Sequence, residues 1–147
     1  MLQLMKDYNE PASLLSEYWQ ERGMSYNKEW ANEYLKEGHK KEIKEDLFYT
    51  YKEEDKVIGM VSLVIDVSGV AELRDLVVNP EYRKKGYSKQ ILQELEMVAI
   101  EKGLRKIFAL VFPELQKLFS DSGFSEEGFL RNHFAEGEDL IIMSKFI

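Results

Sequence analysis

Apolar residues recur along this chain at two periods, and the change from one to the other divides it. After Pro11, Leu14, Leu15, Tyr18 and Trp19 repeat at helical spacing until Gly23. Asn27 is placed to cap a second helix that carries Trp30, Tyr34 and Leu35 on one face. A loose alternation over residues 1–6 predicts a short first strand. From Asp46 the period falls to that of strands. Residues 47–51 and 57–65 flank the polar turn EEDK, and Val67, Ser68 and Gly69 turn the chain again into residues 72–78. These three strands form an antiparallel meander. Ile91, Leu92, Leu95, Val98 and Ala99 then make a helical stripe that Gly103 is placed to end, and residues 107–111 read as the next strand. Strand, helix and buried strand in that order predict a right-handed crossover, hence a parallel pair. Pro113 fits the first turn of another helix, with Leu115, Leu118 and Phe119 facing inward and Gly123 at its end. Residues 128–134 and 140–146 form a hairpin about AEGED. The fold class is α/β (α+β) with a mixed sheet.

At 147 residues the chain is expected to be one domain, residues 1–147, without a linker. A hydrophobic fraction of 44% with 32% charged residues is that of a soluble globular protein, and no apolar run is long enough to span a bilayer. The start, MLQLMKDYNEP, lacks the basic and apolar regions of a secretory signal, so a cytoplasmic location is expected. The absence of cysteine excludes disulfides, thiolate metal sites and a cysteine nucleophile. His39 sits in a charged run and reads as solvated; His133 has no second His or Cys nearby, so no metal site is expected.

The net charge of −7 argues against nucleic acid as a partner, but the charge is unevenly spread. Residues 71–111 carry eight Lys or Arg against six Asp or Glu, leaving −9 on the rest. The basic part centres on LRDLVVNPEYRKKGYSK, residues 73–89, where an apolar strand runs through a glycine-punctuated loop into a helix. The first N–H groups of a helix lack internal partners and carry the positive end of its dipole, which suits phosphate. Arg83, Lys84, Lys85 and Lys89 add charge, and Gly86 omits the Cβ that would hold a bulky anion away from the backbone.

The spacing Arg83-x-x-Gly86-x-Ser88 after LVVNPEY resembles the R/Q-x-x-G-x-G/A acyl-CoA signature of the GNAT superfamily of N-acetyltransferases. The family's surrounding parts occur in order: AELRDLVVNP, SKQILQELEMVAIEKG, RKIFALV and PELQKLFSDSGF. The resemblance covers residues 57–147 and is weakest in the first fifty. It implies a parallel strand pair splayed around an acyl-CoA site, with flanking helices. It also implies acetyl-CoA as co-substrate, a primary amine as acceptor and direct transfer between them, with no metal and no membrane; a homodimer is compatible with it.

The resemblance also distributes roles. The backbone of Arg83, Lys84, Lys85, Gly86, Tyr87 and Ser88 would hold the pyrophosphate, with Lys89 beside it, and the edge formed by Leu76, Val77 and Val78 would bind the pantetheine arm. The N–H of Val77 or Val78 would polarise the thioester carbonyl. Glu72 stands where the family places a general base, and Asp75 is its rival; on an unbroken strand the two would point to opposite faces. Either carboxylate could instead merely pair with Arg74 or with a neighbouring strand. Trp30 and Tyr34 would help to wall the acceptor pocket, the alternative being that they pack on the sheet. Phe119 occupies the place of the tyrosine that protonates the departing thiolate in many members. That departure leaves a second reading, a catalytically weak acyl-CoA-binding module acting as regulator or sensor.

Overall fold

The computed structural model describes Met1 and residues 3–147, which divide into two compact units, Met1–Ile43 and Lys44–Ile147. Among its described residues the first holds two α-helices, α1 (Asn9–Glu21) and α2 (Lys28–Glu37), and a 3-10 turn, His39–Glu42. As the sequence predicts, Asn27 caps α2: its side chain accepts from the Trp30 N–H at 2.9 Å. The strand expected over residues 1–6 does not form in residues 3–6, and Leu2 lies outside the described residues. Side chains there bury almost nothing, Leu4 being 90% exposed, so no apolar face repays the ordering of an extended segment. α1 also begins two residues before Pro11, which leaves the proline within the first turn, where its missing N–H costs no hydrogen bond.

The second unit is a six-stranded sheet in the order β1-β2-β3-β4-β6-β5, comprising β1 (Ile43–Glu53), β2 (Lys56–Asp66), β3 (Val70–Val78), β4 (Lys106–Val111), β5 (Ser125–Ala135) and β6 (Glu138–Phe146). β3 and β4 are parallel, and β2–β3, β4–β6 and β5–β6 are antiparallel. Between β3 and β4 runs α3 (Tyr87–Glu101), whose stripe of Ile91, Leu92, Leu95 and Ala99 is buried. It packs in one core with Val61, Leu63 and Ile65 of β2, Ala71 and Leu73 of β3, and Ile107 and Ala109 of β4. At about 1.5–3 kcal/mol per fully buried aliphatic side chain, this stripe is what fastens α3 to the sheet.

Pro113 opens a 3-10 turn, Pro113–Leu115, that runs into α4 (Gln116–Asp121). Phe119 is buried, as expected, but Leu115 is 37% exposed because it lies on that turn rather than on the helix face. The C-terminal hairpin forms as predicted, with β6 inserted beside β4, so its own apolar residues Ile141 and Met143 join the core.

Candidate functional site

β3 and β4 pair only from Val70↔Lys106 to Leu73↔Ala109. Beyond that point β3 stays with β2 up to Gly59↔Val78, while β4 stays with β6 up to Val111↔Ile141, and the two strands part. A cleft of ≈ 220 Å³ opens there, lined by Arg74, Asp75 and Leu76 on one side and Leu110 and Val111 on the other, with Phe119 also in its wall. The Asn79 N–H donates to the Ile58 carbonyl at 2.8 Å, on the β2 side. By the alternation of an extended strand, the N–H groups of Val78 and Leu76 then turn to the β4 side, toward the cleft, and that of Val77 toward β2. Between the two residues expected to polarise a carbonyl, this geometry favours Val78.

β3 is not an unbroken strand. Met60 pairs with Val77 but Ser62 pairs with Arg74, so Val61 alone faces both Asp75 and Leu76. Asp75 is the bulged residue, at φ +54° in the left-handed region. The bulge shifts the alternation: Ala71 and Leu73 before it, and Leu76 and Val78 after it, all face the core. Glu72 and Asp75 consequently share the opposite face, contrary to the expectation for a regular strand. Their partners differ. Glu72 Oε2 accepts from Arg74 Nη2 at 2.6 Å, the pairing weighed as an alternative to a catalytic role, and Asp75 Oδ2 accepts from the hydroxyl of Ser62 at 2.7 Å.

The loop between β3 and α3 is tied back to the end of β3. Asn79 caps the short turn Pro80–Tyr82 by accepting from the Glu81 N–H at 3.1 Å, and Arg83 Nε donates back to the Val78 carbonyl at 2.9 Å. Lys84 and Gly86 are both left-handed, at φ +59° and +87°. Gly86 is the N-cap residue of α3; no side chain caps that helix and no acidic residue stands in its first turn. The leading N–H groups of Tyr87, Ser88 and Lys89 therefore lack side-chain partners, and the loop before them carries Arg83, Lys84 and Lys85, the Lys85 ammonium lying 5.5 Å from the Tyr82 ring. A Cβ on Gly86 would meet nothing within 4 Å, so the space in front of this backbone is clear. Tyr87 lies between Tyr51 and Tyr82, and Glu53 beside it, followed by burial, pushes its hydroxyl pKa up.

Trp30 and Tyr34 lie in the other unit, in a stack of its own rings. Trp30 is stacked on Tyr26 at 4.4 Å and on Tyr34 at 5.6 Å, and Trp19 meets all three edge-on. The Lys41 ammonium sits 5.9 Å from the Trp30 ring. This packing accounts for both residues within their own unit. Among the described residues, no group of three or more acidic, His or Cys side chains could hold a metal ion, and no helix is long and apolar enough to cross a membrane.

Two residues of the site's frame escaped the sequence reading. Gly59 pairs with Val78, and a Cβ there would lie 2.6 Å from the Val77 carbonyl oxygen and 3.0 Å from Ile91 Cδ1. Ser62 is 1% exposed. A glycine and a lone hydroxyl inside the apolar run 57–65 are the signals that could have marked them, since each is out of place in a buried strand without a local reason.

Comparisons with known proteins bear on the fold and the family. No curated protein matches the sequence at a significant level. Among solved structures, a chimeric spermidine N-acetyltransferase from Vibrio cholerae is 22% identical, with 99% of this chain and 96% of that one covered and a TM-score of 0.65. An acetyltransferase from Bacillus cereus is 20% identical over 99% and 98%, at 0.64. An aminoglycoside 6'-N-acetyltransferase solved with coenzyme A is 17% identical over 99% and 97%, at 0.64. These identities speak to the fold. The sequence itself matches the acetyltransferase (GNAT) family over residues 3–124, and with that match the parted strands and the basic helix entrance make this chain a member of that family and an acyltransferase.

Proposed function

We propose that the protein transfers the acetyl group of acetyl-CoA directly to a primary amine. One observation carries the reading: β3 and β4 part ahead of an uncapped helix N-terminus whose preceding loop carries Arg83, Lys84 and Lys85 and whose first turn carries Lys89. The pyrophosphate lies against the N–H groups that follow Gly86, and the pantetheine arm runs back along β3 into the cleft. The Val78 N–H, with that of Leu76 beside it, stabilises the oxyanion that forms on the thioester carbonyl.

An alkylammonium with a pKa of about 10.4 is the free nucleophile in only about four molecules in ten thousand at pH 7, so a base accelerates the reaction. Glu72 is that base, directly or through water: Arg74 fixes its Oε2, and Oε1 takes the proton. The nitrogen then bonds to the carbonyl carbon, the C–S bond breaks, and the thiolate takes its proton from solvent because Phe119 has none to give. A thiol pKa of about 8.5 makes that departure tolerable.

The test is a pH series with a reactive amine. Glu72→Gln should lower turnover by about 10²- to 10⁴-fold near pH 7, leave acetyl-CoA affinity nearly unchanged, and lose less as pH approaches the amine's own pKa. Full activity in Glu72→Gln at pH 7 would eliminate the assignment. The engaged Glu72–Arg74 pair and the phenyl ring at position 119 favour a second reading, an acyl-CoA-binding module with little turnover. Acetyl-CoA binding without CoA release across an amine panel would select it.

A further inference from the structure

Asp75 is a bulged, left-handed residue in the strand that walls the cleft, and it is hydrogen-bonded to the most deeply buried hydroxyl of the neighbouring strand. A non-glycine residue at positive φ is unfavourable; Asp and Asn tolerate it best because their short polar side chains find local partners. The partner here is not local in sequence. Ser62 lies thirteen positions earlier on β2, among core residues Val61 and Leu63, and its hydroxyl is turned to the face opposite the core. An unpaired hydroxyl at that depth would be costly, so the bond is favoured from both ends. The bulge it holds restores Leu76 and Val78 to the core face and sends their N–H groups toward the cleft. Without the extra residue, Leu76 and Val78 would change faces and the N–H directions would invert.

We propose that Ser62 and Asp75 form a latch that holds the β3 bulge, so that Asp75 is a positioning residue for the oxyanion-binding backbone N–H groups and not a proton acceptor. The inference rests on the acyl-transfer reading above. It assigns Asp75 a role that its carboxylate charge does not require: the work is done by a short acceptor on a left-handed backbone. Asn should therefore substitute for Asp, whereas a residue that lacks the acceptor or resists positive φ should not.

The experiment compares Ser62→Ala, Asp75→Asn and Asp75→Val with the parent. Asp75→Asn should lose no more than about threefold in kcat and keep the parent's pH profile. Ser62→Ala should lower kcat about tenfold and Asp75→Val more, both with KM for acetyl-CoA within about twofold of the parent and an unshifted acid limb. The double variant Ser62→Ala/Asp75→Val should be no worse than Asp75→Val alone, because both remove one bond. A loss of 10²-fold or more in Asp75→Asn, with the acid limb abolished, would make Asp75 the base and overturn the latch. Amide hydrogen exchange at Leu76–Val78 in the folded proteins supplies a readout that needs no turnover. Protection there should fall in Ser62→Ala and stay in Asp75→Asn. Unchanged exchange and unchanged kcat in Ser62→Ala would also overturn it. If the parent turns over no amine, the acyl-transfer reading fails while the exchange measurement still decides whether the latch exists.

Discussion

At the scale of single residues, positions 86 and 119 bear the most weight. Gly86 is left-handed and faces clear space, so a side chain there would occupy the volume that the pyrophosphate needs. Gly86→Glu should abolish CoA binding measured by calorimetry, by bulk and by like charge, whereas Gly86→Asn, which tolerates the backbone and adds no charge, should weaken it less. Equal affinity in parent and Gly86→Glu would put the cofactor elsewhere. Phe119 is 2% exposed, lies edge-on to Phe124 at 5.1 Å and contributes to the cleft wall. If a proton donor is what the site lacks, Phe119→Tyr should speed CoA release and introduce a fall in rate at alkaline pH, where the new phenol, its pKa pushed up by burial, ionises. Identical profiles would make position 119 core packing and nothing more.

At the scale of elements, the phosphate-binding loop is only as well placed as the strand end and helix start that it joins. Gly59 lets β2, the end of β3 and the first buried residue of α3 approach one another, with no room for a Cβ. The nearest obstacle is backbone, which cannot rotate away, so the alanine must be accommodated by moving β3 or α3. Gly59→Ala is expected to destabilise by about 1–3 kcal/mol in denaturant unfolding, the range of overpacked cores, and to weaken CoA binding besides. Stability lost with binding intact would show that the loop keeps its geometry independently of the strands. The sequence reading placed α3, β4 and the loop because each carries its own period or punctuation. It missed the role of Gly59, whose importance lies in what stands opposite it.

At the scale of the whole molecule, charge decides the response to acid. The carboxyl pKa values of Glu33, Asp121 and Glu127 are held below the ordinary range, chiefly by hydrogen bonds from Lys41, Lys117 and Lys106. A carboxylate whose folded value is depressed contributes stability that is fully present above its unfolded value and lost as pH falls through the folded one. Against this, the net charge of −7 repels itself at pH 7, and the repulsion relaxes toward the isoelectric point near 5.0. Tm should therefore hold or rise slightly from pH 7 to 5 and fall below about pH 4. Because the pairs are exposed, 1 M salt should flatten that acid limb. A limb as steep in high salt as in low would assign the loss to buried groups instead.

The sequence by itself determined the order and kind of almost every element, the basic entrance to α3 and the parallel pair. All of these follow from local hydrophobic period, from Gly and Pro positions or from the length of a crossover. It also carried the family signature, since that signature is a spacing within one loop. The tertiary structure alone decided which way the side chains and N–H groups of β3 point. A bulge is a mismatch of register between two strands, and its cause here, the bond from Ser62 to Asp75, joins residues that no local pattern links. It likewise decided that Glu72 and Asp75 share a face, that Arg74 engages Glu72, and that residues 3–6 stay out of any strand. Each depends on what the rest of the chain brings alongside, and a one-residue shift in strand pairing is enough to reverse it.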